Sequence, residues 1–201
     1  MTILGKLQQE FLNKNLWESE FLDLGCGTRK KFDFKNKQVT GLDIKQYGEV
    51  DIIGDLNATL PISDESWKCI VAMNVYEHIH DIRNALAETY RILENGGRLL
   101  SSVPFTLGVH QAPYDFHRFT RFELELLLQK FTSIKIFELG TQFDTYKTIQ
   151  LHLFMSLFTE KRSLFLKIVW NIHKLINLLF SKFFITKETR DLLGYAFIAV
   201  K

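Results

Sequence analysis

Cysteine is nearly absent from this sequence. Of 201 residues only Cys26 and Cys69 are cysteines, far apart and without metal-ligand spacing. That excludes a disulfide-stapled miniprotein, and two free thiols fit a reducing, cytoplasmic setting. Proline is scarce, with three residues, and no segment is repetitive, which excludes collagen-like and linker-like chains. No stretch of about 18 residues is both apolar and uncharged, so no plain transmembrane helix is expected. The N-terminus carries Lys6, Glu10 and Lys14 and lacks the apolar run of a secretion signal. Charge of one sign is lacking as well: a net +2 predicts no nucleic-acid footprint. What is plentiful is apolar mass, 46% of the chain, enough for one full core. Phenylalanine is in excess and uneven: of 18, four precede residue 101 and fourteen follow it.

Periodicity predicts an α/β chain. Apolar residues at 4, 7, 11, 12 and 16 have helical spacing, giving a leading helix within 1–17. Strands are expected at Glu20–Leu24, Gln38–Ile44, Val50–Ile53, Trp67–Asn74, Arg98–Pro104, Ser133–Leu139 and Tyr195–Val200. A helix at Asp81–Leu93 should stop at Asn95-Gly96-Gly97. Thr120-Arg121-Phe122-Glu123 reads as a capping box opening a helix that runs to about Lys130. Alternating strands and helices imply a mostly parallel sheet covered on both faces. The whole of 1–201 reads as one domain, with a helical insertion at 141–193 between the last two strands.

In an open parallel sheet, ligands bind beyond the carboxyl ends of the strands. The turn there is Asp23-Leu24-Gly25-Cys26-Gly27. Glycines let the backbone approach a ligand closely. A dinucleotide site wants a third glycine three residues on, but position 30 is Lys30, which disfavours a dehydrogenase. A P-loop is absent. Asp43, ending the second strand, can accept from both ribose hydroxyls, and Asp55 is placed to meet a purine amino group. The ligand implied is an adenosine without pyrophosphate.

The Asp23-to-Gly27 turn, Asp43, Gly54-Asp55-Leu56, Leu60-Pro61, Asn74-to-His78 (NVYEH) and Arg91-to-Gly97 (RILENGG) occur in one order. In that order they resemble the class I S-adenosylmethionine-dependent methyltransferases, closest to the small-molecule type 11 group. The resemblance covers roughly residues 20 to 139 and the final strand. It implies a Rossmann-like fold with strand order 3-2-1-4-5-7-6, the seventh antiparallel. It implies that Asp23, Gly25, Cys26 and Gly27 face the amino-acid end of S-adenosyl-L-methionine. Asp43, with Ile44 beside it, would hold the ribose. Asp55 and Leu56 would flank the adenine, and Asn74 would lie near the methionine moiety. Two departures stand out. Thr28 to Lys37 is short and basic, so the usual first helix should shrink to a turn or two. Trp67-Lys68 replaces the Phe-Asp that often precedes the fourth strand.

Methyl transfer is a displacement whose acceptor needs alignment and, for O or N, a base. His110, His117 and His78 are the candidate bases; Tyr114 and Arg118 would orient the acceptor. In the bland alternative, Asp115 and Arg118 merely brace the loop. His78, His80, Asp115 and His117 could ligate a metal, but the spacing disfavours it and no metal is expected. The expected acceptor is a small molecule, lipid-linked or glycan-type. A non-catalytic protein on the same fold is the rival. From Leu151 to Ile185 an aromatic, apolar face is lined by Lys167, Lys174 and Lys182. Three readings compete for it: a lid, a homodimer interface, or peripheral attachment at the inner face of the membrane.

Overall fold

The computed structural model describes residues 1–28, 31–46, 48, 50–157, 171–172 and 191–201. Seven strands form one sheet: β1 Glu20–Leu24, β2 Gln38–Asp43, β3 Ile52–Ile53, β4 Trp67–Met73, β5 Leu93–Pro104, β6 Ser133–Leu139 and β7 Gly194–Val200. Their order is β3-β2-β1-β4-β5-β7-β6, and β7 runs antiparallel to both its neighbours. Among the described residues the helices include α1 Ile3–Asn15, α2 Ile82–Ile92, α3 Arg121–Leu127 and α4 Gln142–Leu157.

Strand alternation divides the interior into two cores, because successive side chains point to opposite faces. Leu22, Leu24, Ile70, Ala72 and Leu99 join Ala85, Leu86 and Ile92 of α2 and Leu124 of α3 on one face. Phe21, Cys69, Val71, Met73 and Leu100 join Phe11 and Leu12 of α1 on the other. The N-cap expected at Thr120 forms: Thr120 Oγ1 accepts from the Glu123 amide at 3.2 Å, while the reciprocal bond of a full capping box is not made among the described residues.

Local departures have local causes. No helix forms among residues 31–37. Phe32 and Phe34 alternate with polar residues, so they cannot share a helical stripe. They pack instead beside Phe21, whose ring meets Phe34 edge-on at 4.9 Å. Gln9 of α1 fixes this segment by bonding the amide and carbonyl of Asp33, each at 2.9 Å. Asn95-Gly96-Gly97 does not follow the helix as a free turn but lies inside β5, which begins at Leu93. The Gly96 amide donates to the Lys201 carbonyl at 3.1 Å, and the register against β4 shifts between Trp67 and Cys69. β3 keeps only two of the four residues expected, and α3 ends at Leu127 rather than near Lys130.

Gln8 is the polar residue that α1 inserts into the interior. Its side-chain amide donates to Asn74 Oδ1 at 2.6 Å and Ser102 Oγ at 2.9 Å, while Asn74 Nδ2 donates back to Gln8 Oε1 at 3.1 Å. The leading helix thereby pins the ends of β4 and β5. Gln8→Ala orphans these buried groups and is expected to cost about 1–3 kcal/mol. A lowered urea midpoint with an unchanged slope checks it.

The start of the insertion is α4. Thr141 and Asp144 cap it reciprocally: the Asp144 amide donates to Thr141 Oγ1 at 3.2 Å, and the Thr141 amide to Asp144 Oδ2 at 3.0 Å. Tyr146, Ile149, Leu151 and Leu153 on α4 are exposed. Residues 158–170 and 173–190 lie outside the described residues, and most of the expected 151–185 surface falls there. Among the described residues, no helix is long and apolar enough to cross a membrane.

Candidate active site

The parallel strands β3, β2, β1 and β4 end side by side, so their following turns share one edge. This edge gathers Asp23, Gly25, Cys26, Gly27, Asp43, Ile44, Asp55, Leu56 and Asn74. Gly25 and Gly27 both have positive φ, +64° and +53°. A Cβ on Gly25 would lie 2.6 Å from Val75 Cγ2, so that glycine serves close packing. A Cβ on Gly27 would meet nothing within 4 Å, so that glycine faces open space.

Asp43 closes the turn from the neighbouring strand. Its Oδ2 accepts from the Gly27 amide at 2.8 Å and its Oδ1 from the Ile44 amide at 2.8 Å. A carboxylate offers about four lone-pair positions, so two remain for ligand hydroxyls. Ile44 is exposed beside it. The residues present therefore fit an adenosine-type group: a carboxylate at the ribose position and an open glycine turn next to it. Asp55 Oδ1 accepts from the Asn57 amide and side chain, each at 2.9 Å, which shapes the turn after β3. Asp23 and Cys26 are buried. Leu56 and Asn74 contribute differently from expectation. The Leu56 side chain lies in the core. The Asn74 amide is engaged by Gln8, and its φ of 55° turns the chain after β4.

The second half of the edge is a 3-10 turn, Tyr76–His78, with the loop 105–119 packed on it. The amides of Phe116 and His117 both donate to the Glu77 carbonyl, at 2.8 and 3.2 Å. Arg118 holds the loop in shape. It forks onto Asp115 at 2.7 and 2.8 Å and also donates to the carbonyls of Leu107, Gly108 and His117. The Arg118 guanidinium holds the Asp115 carboxyl well below the usual range. Arg118 is thus the loop's brace, and its donors are used within the loop.

The histidines divide. His117 Nε2 donates to the Ile79 carbonyl at 3.0 Å, with its ring stacked on Phe119. His80 is exposed and meets Phe116 edge-on. The set His78, His80, Asp115 and His117 is not gathered as one group. Instead His78 and His110 meet ring to ring, 4.7 Å between centroids, over the Glu77 carboxylate. Tyr114 is exposed next to them, and its carbonyl accepts from His78 Nδ1.

Glu77 is not singled out in the sequence beyond its place in the NVYEH segment. Its side chain is fully buried, and burial pushes its carboxyl up to about 8 against the fields of Lys31 and Arg118. Its sequence signal is slight, a lone carboxylate between Tyr76 and His78 in NVYEH. Gln8 gave no signal at all, because a glutamine on an amphipathic helix reads as surface.

Comparison with known proteins accords with this geometry. Residues 22–101 match the family model described as a methyltransferase domain. A 37.1 kDa uncharacterized protein from a Streptomyces fradiae transposon is 34% identical over 102 residues. That is 41% of this chain and 29% of that protein, so the chain spans under a third of this relative's length. Two solved structures share the fold. A Thermotoga maritima S-adenosylmethionine-dependent methyltransferase superposes with TM-score 0.62 at 17% identity, covering 100% of this chain and 89% of its own. The Haemonchus contortus phosphoethanolamine N-methyltransferase 2, solved with S-adenosyl-L-methionine, gives 0.58 at 16% identity, over 96% of this chain and 52% of its own. Residues 22–101 thus match a methyltransferase domain, and the seven-stranded order gives the chain the fold of the S-adenosylmethionine-dependent methyltransferases it resembles.

Proposed function

We propose that the protein transfers a methyl group from S-adenosylmethionine to a small-molecule, lipid-linked or glycan-type acceptor, releasing S-adenosylhomocysteine. The observation that carries this is the hydrogen bond from the Gly27 amide to Asp43, which couples the open glycine turn to the ribose carboxylate. When bound, the cofactor supplies an electrophilic methyl on a sulfonium. Asp43 would bind the ribose, Ile44 and the Asp55 turn the adenine, and Gly25 to Gly27 the amino-acid end.

The acceptor would enter between the 3-10 turn and the loop 105–119. Tyr114 supports this reading because it is exposed at that seam. For a hydroxyl or amine acceptor, a proton must leave the attacking atom. In the ion-free site His110 and His78 suit that role by position, since both face Glu77. His117 is the weaker candidate, because its Nε2 proton is committed to the Ile79 carbonyl.

Titration calorimetry with S-adenosylhomocysteine tests the reading. Wild type should bind, and Asp43→Ala should weaken binding by roughly 30- to 150-fold, the loss of one or two charge-assisted hydrogen bonds. Wild type that does not bind would sink it. That result would support the non-catalytic alternative, which the lack of a helix among residues 31–37 favours.

A further inference from the structure

We infer that Glu77, His78 and His110 form a divalent metal site of the zinc class, at the seam between the 3-10 turn and the loop 105–119. Three facing atoms there share no mutual hydrogen bond. Glu77 Oε1 stands 3.7 Å from His78 Nε2 and 4.0 Å from His110 Nε2. One ligand atom from each residue lies within 4.8 Å of the others. Among the described residues, both Glu77 oxygens and His78 Nε2 are buried without a hydrogen-bond partner. Buried polar atoms left this way are costly, so the arrangement calls for an occupant.

The tautomers say what kind of occupant. The Tyr114 carbonyl can only accept, so His78 carries its proton on Nδ1 and its Nε2 is a bare lone pair. His110 Nδ1 lies 3.3 Å from two acceptors, Asp115 Oδ2 and the Gly108 carbonyl, closer than Arg118 Nη2 at 3.5 Å. Its Nε2 is then a lone pair too. The two imidazole lone pairs converge on the Glu77 carboxyl with no hydrogen bond among the three, and a bound ion would take the place of the carboxyl proton. Imidazoles whose outer nitrogen donates to a carbonyl or carboxylate are held as metal ligands are held. Two imidazoles and a carboxylate suit zinc and its first-row neighbours rather than magnesium or calcium.

The spacing is close to what an ion needs. Ligands about 2.1 Å from a tetrahedral zinc stand about 3.4 Å apart, so sub-ångström side-chain adjustments suffice. Charge also permits it. The Asp115 carboxylate backs His110 and is paired with Arg118, so Glu77 is left to face the ion, with Lys31 as the opposing charge. Three protein ligands leave a coordination position open for water or an acceptor oxygen. That last consequence rests on the methyl-transfer reading; the ion site itself does not.

The test titrates zinc chloride into chelator-stripped full-length protein, with cobalt(II) as a second probe. Wild type should bind one zinc per chain at micromolar or tighter affinity, and cobalt should give visible d–d absorption. His110→Ala and Glu77→Gln should each weaken zinc by roughly 100-fold, about 2.7 kcal/mol, and bleach the cobalt bands. Thermal unfolding of each variant checks that it is folded. His110→Ala guards the test should Glu77→Gln fail to fold. Wild type without zinc binding, or folded variants that bind as wild type does, overturns the site. S-adenosylhomocysteine titration on the same samples separates the readings: loss of that binding with zinc intact sinks methyl transfer alone, and the reverse sinks the metal alone.

Discussion

Gly25→Ala is expected to lose about 2–5 kcal/mol of stability, whereas Gly27→Ala loses only about 1 kcal/mol. Both positions hold a left-handed backbone, which a Cβ disfavours by roughly 1–2 kcal/mol. Only Gly25 adds a collision, since its new Cβ would sit 2.6 and 3.0 Å from the two methyls of buried Val75. Overpacking of that kind costs about 1–3 kcal/mol more. For a chain of this size the Gly25 loss is a drop of roughly 4–20 °C in unfolding midpoint. The collision is separable: Gly25→Ala with Val75→Ala should recover at least about 1 kcal/mol relative to the sum of the single changes. Strict additivity of the pair would refute the packing role. Gly27→Ala should instead weaken S-adenosylhomocysteine by roughly tenfold or more, because its methyl enters the open space of the turn. Equal effects of the two changes on stability would show that the two glycines do one job.

Arg91→Ala should destabilise the protein by about 2–3 kcal/mol through a different part of the fold. Arg91 forks onto Glu88 at 2.9 and 2.7 Å, and also reaches Asp64 at 2.6 Å and the Ile62 carbonyl at 2.8 Å. Glu88 in turn accepts from the Leu60 amide at 2.8 Å. These bonds tie the segment Leu60-Pro61 to α2. Breaking a buried pair costs about 3–5 kcal/mol. The figure is lower here because the Arg91 and Asp64 side chains are 25% and 74% exposed. Glu88→Gln exposes the electrostatic part. The Arg91 hydrogen bonds hold the Glu88 carboxyl below its ordinary 4.5. Its ionised form is therefore favoured by folding, so its contribution is complete above pH 4.5 and fades as pH falls through the lowered native value. The stability gap between wild type and Glu88→Gln should be full at neutral pH and close on acidification. A gap that does not change with pH would show that the pair is held by shape and not by charge.

Much of this fold was legible because its signals are local. Thr120 and Glu123 specify a helix start within one turn, and β1 and β6 fall at their expected ends. β5 was misread because Asn95-Gly96-Gly97 carries the chemistry of a helix stop. Pairing with β7 and Lys201, a hundred residues away, turned that segment into strand. The turn or two of helix expected within Thr28 to Lys37 does not appear among residues 31–37, where the alternation of Phe32 and Phe34 suits a lining for the face that α1 also covers. At the site, Gly27 and Asp43 were found by motif, and the bond between them is what the fold added. Arg118 was expected to meet the acceptor and is occupied by Asp115 and three carbonyls. The loop 105–119 has no periodicity from which that could be read.

The sequence by itself determined the α/β class, the glycine turn, the carboxylate at the end of β2 and the segments that follow the strand ends. These depend on residue types within a few positions of one another, and on motifs whose order is their evidence. Only the tertiary structure decided that His78 and His110 meet. His78 and His110 are 32 positions apart, and His117 is nearer to His110 in sequence. They meet because the loop after β5 docks on the Glu77 carbonyl after β4, and that docking closes over the Glu77 carboxylate. A cluster made by two loops from adjacent strands has no one-dimensional spacing, so no pattern in the chain could announce it.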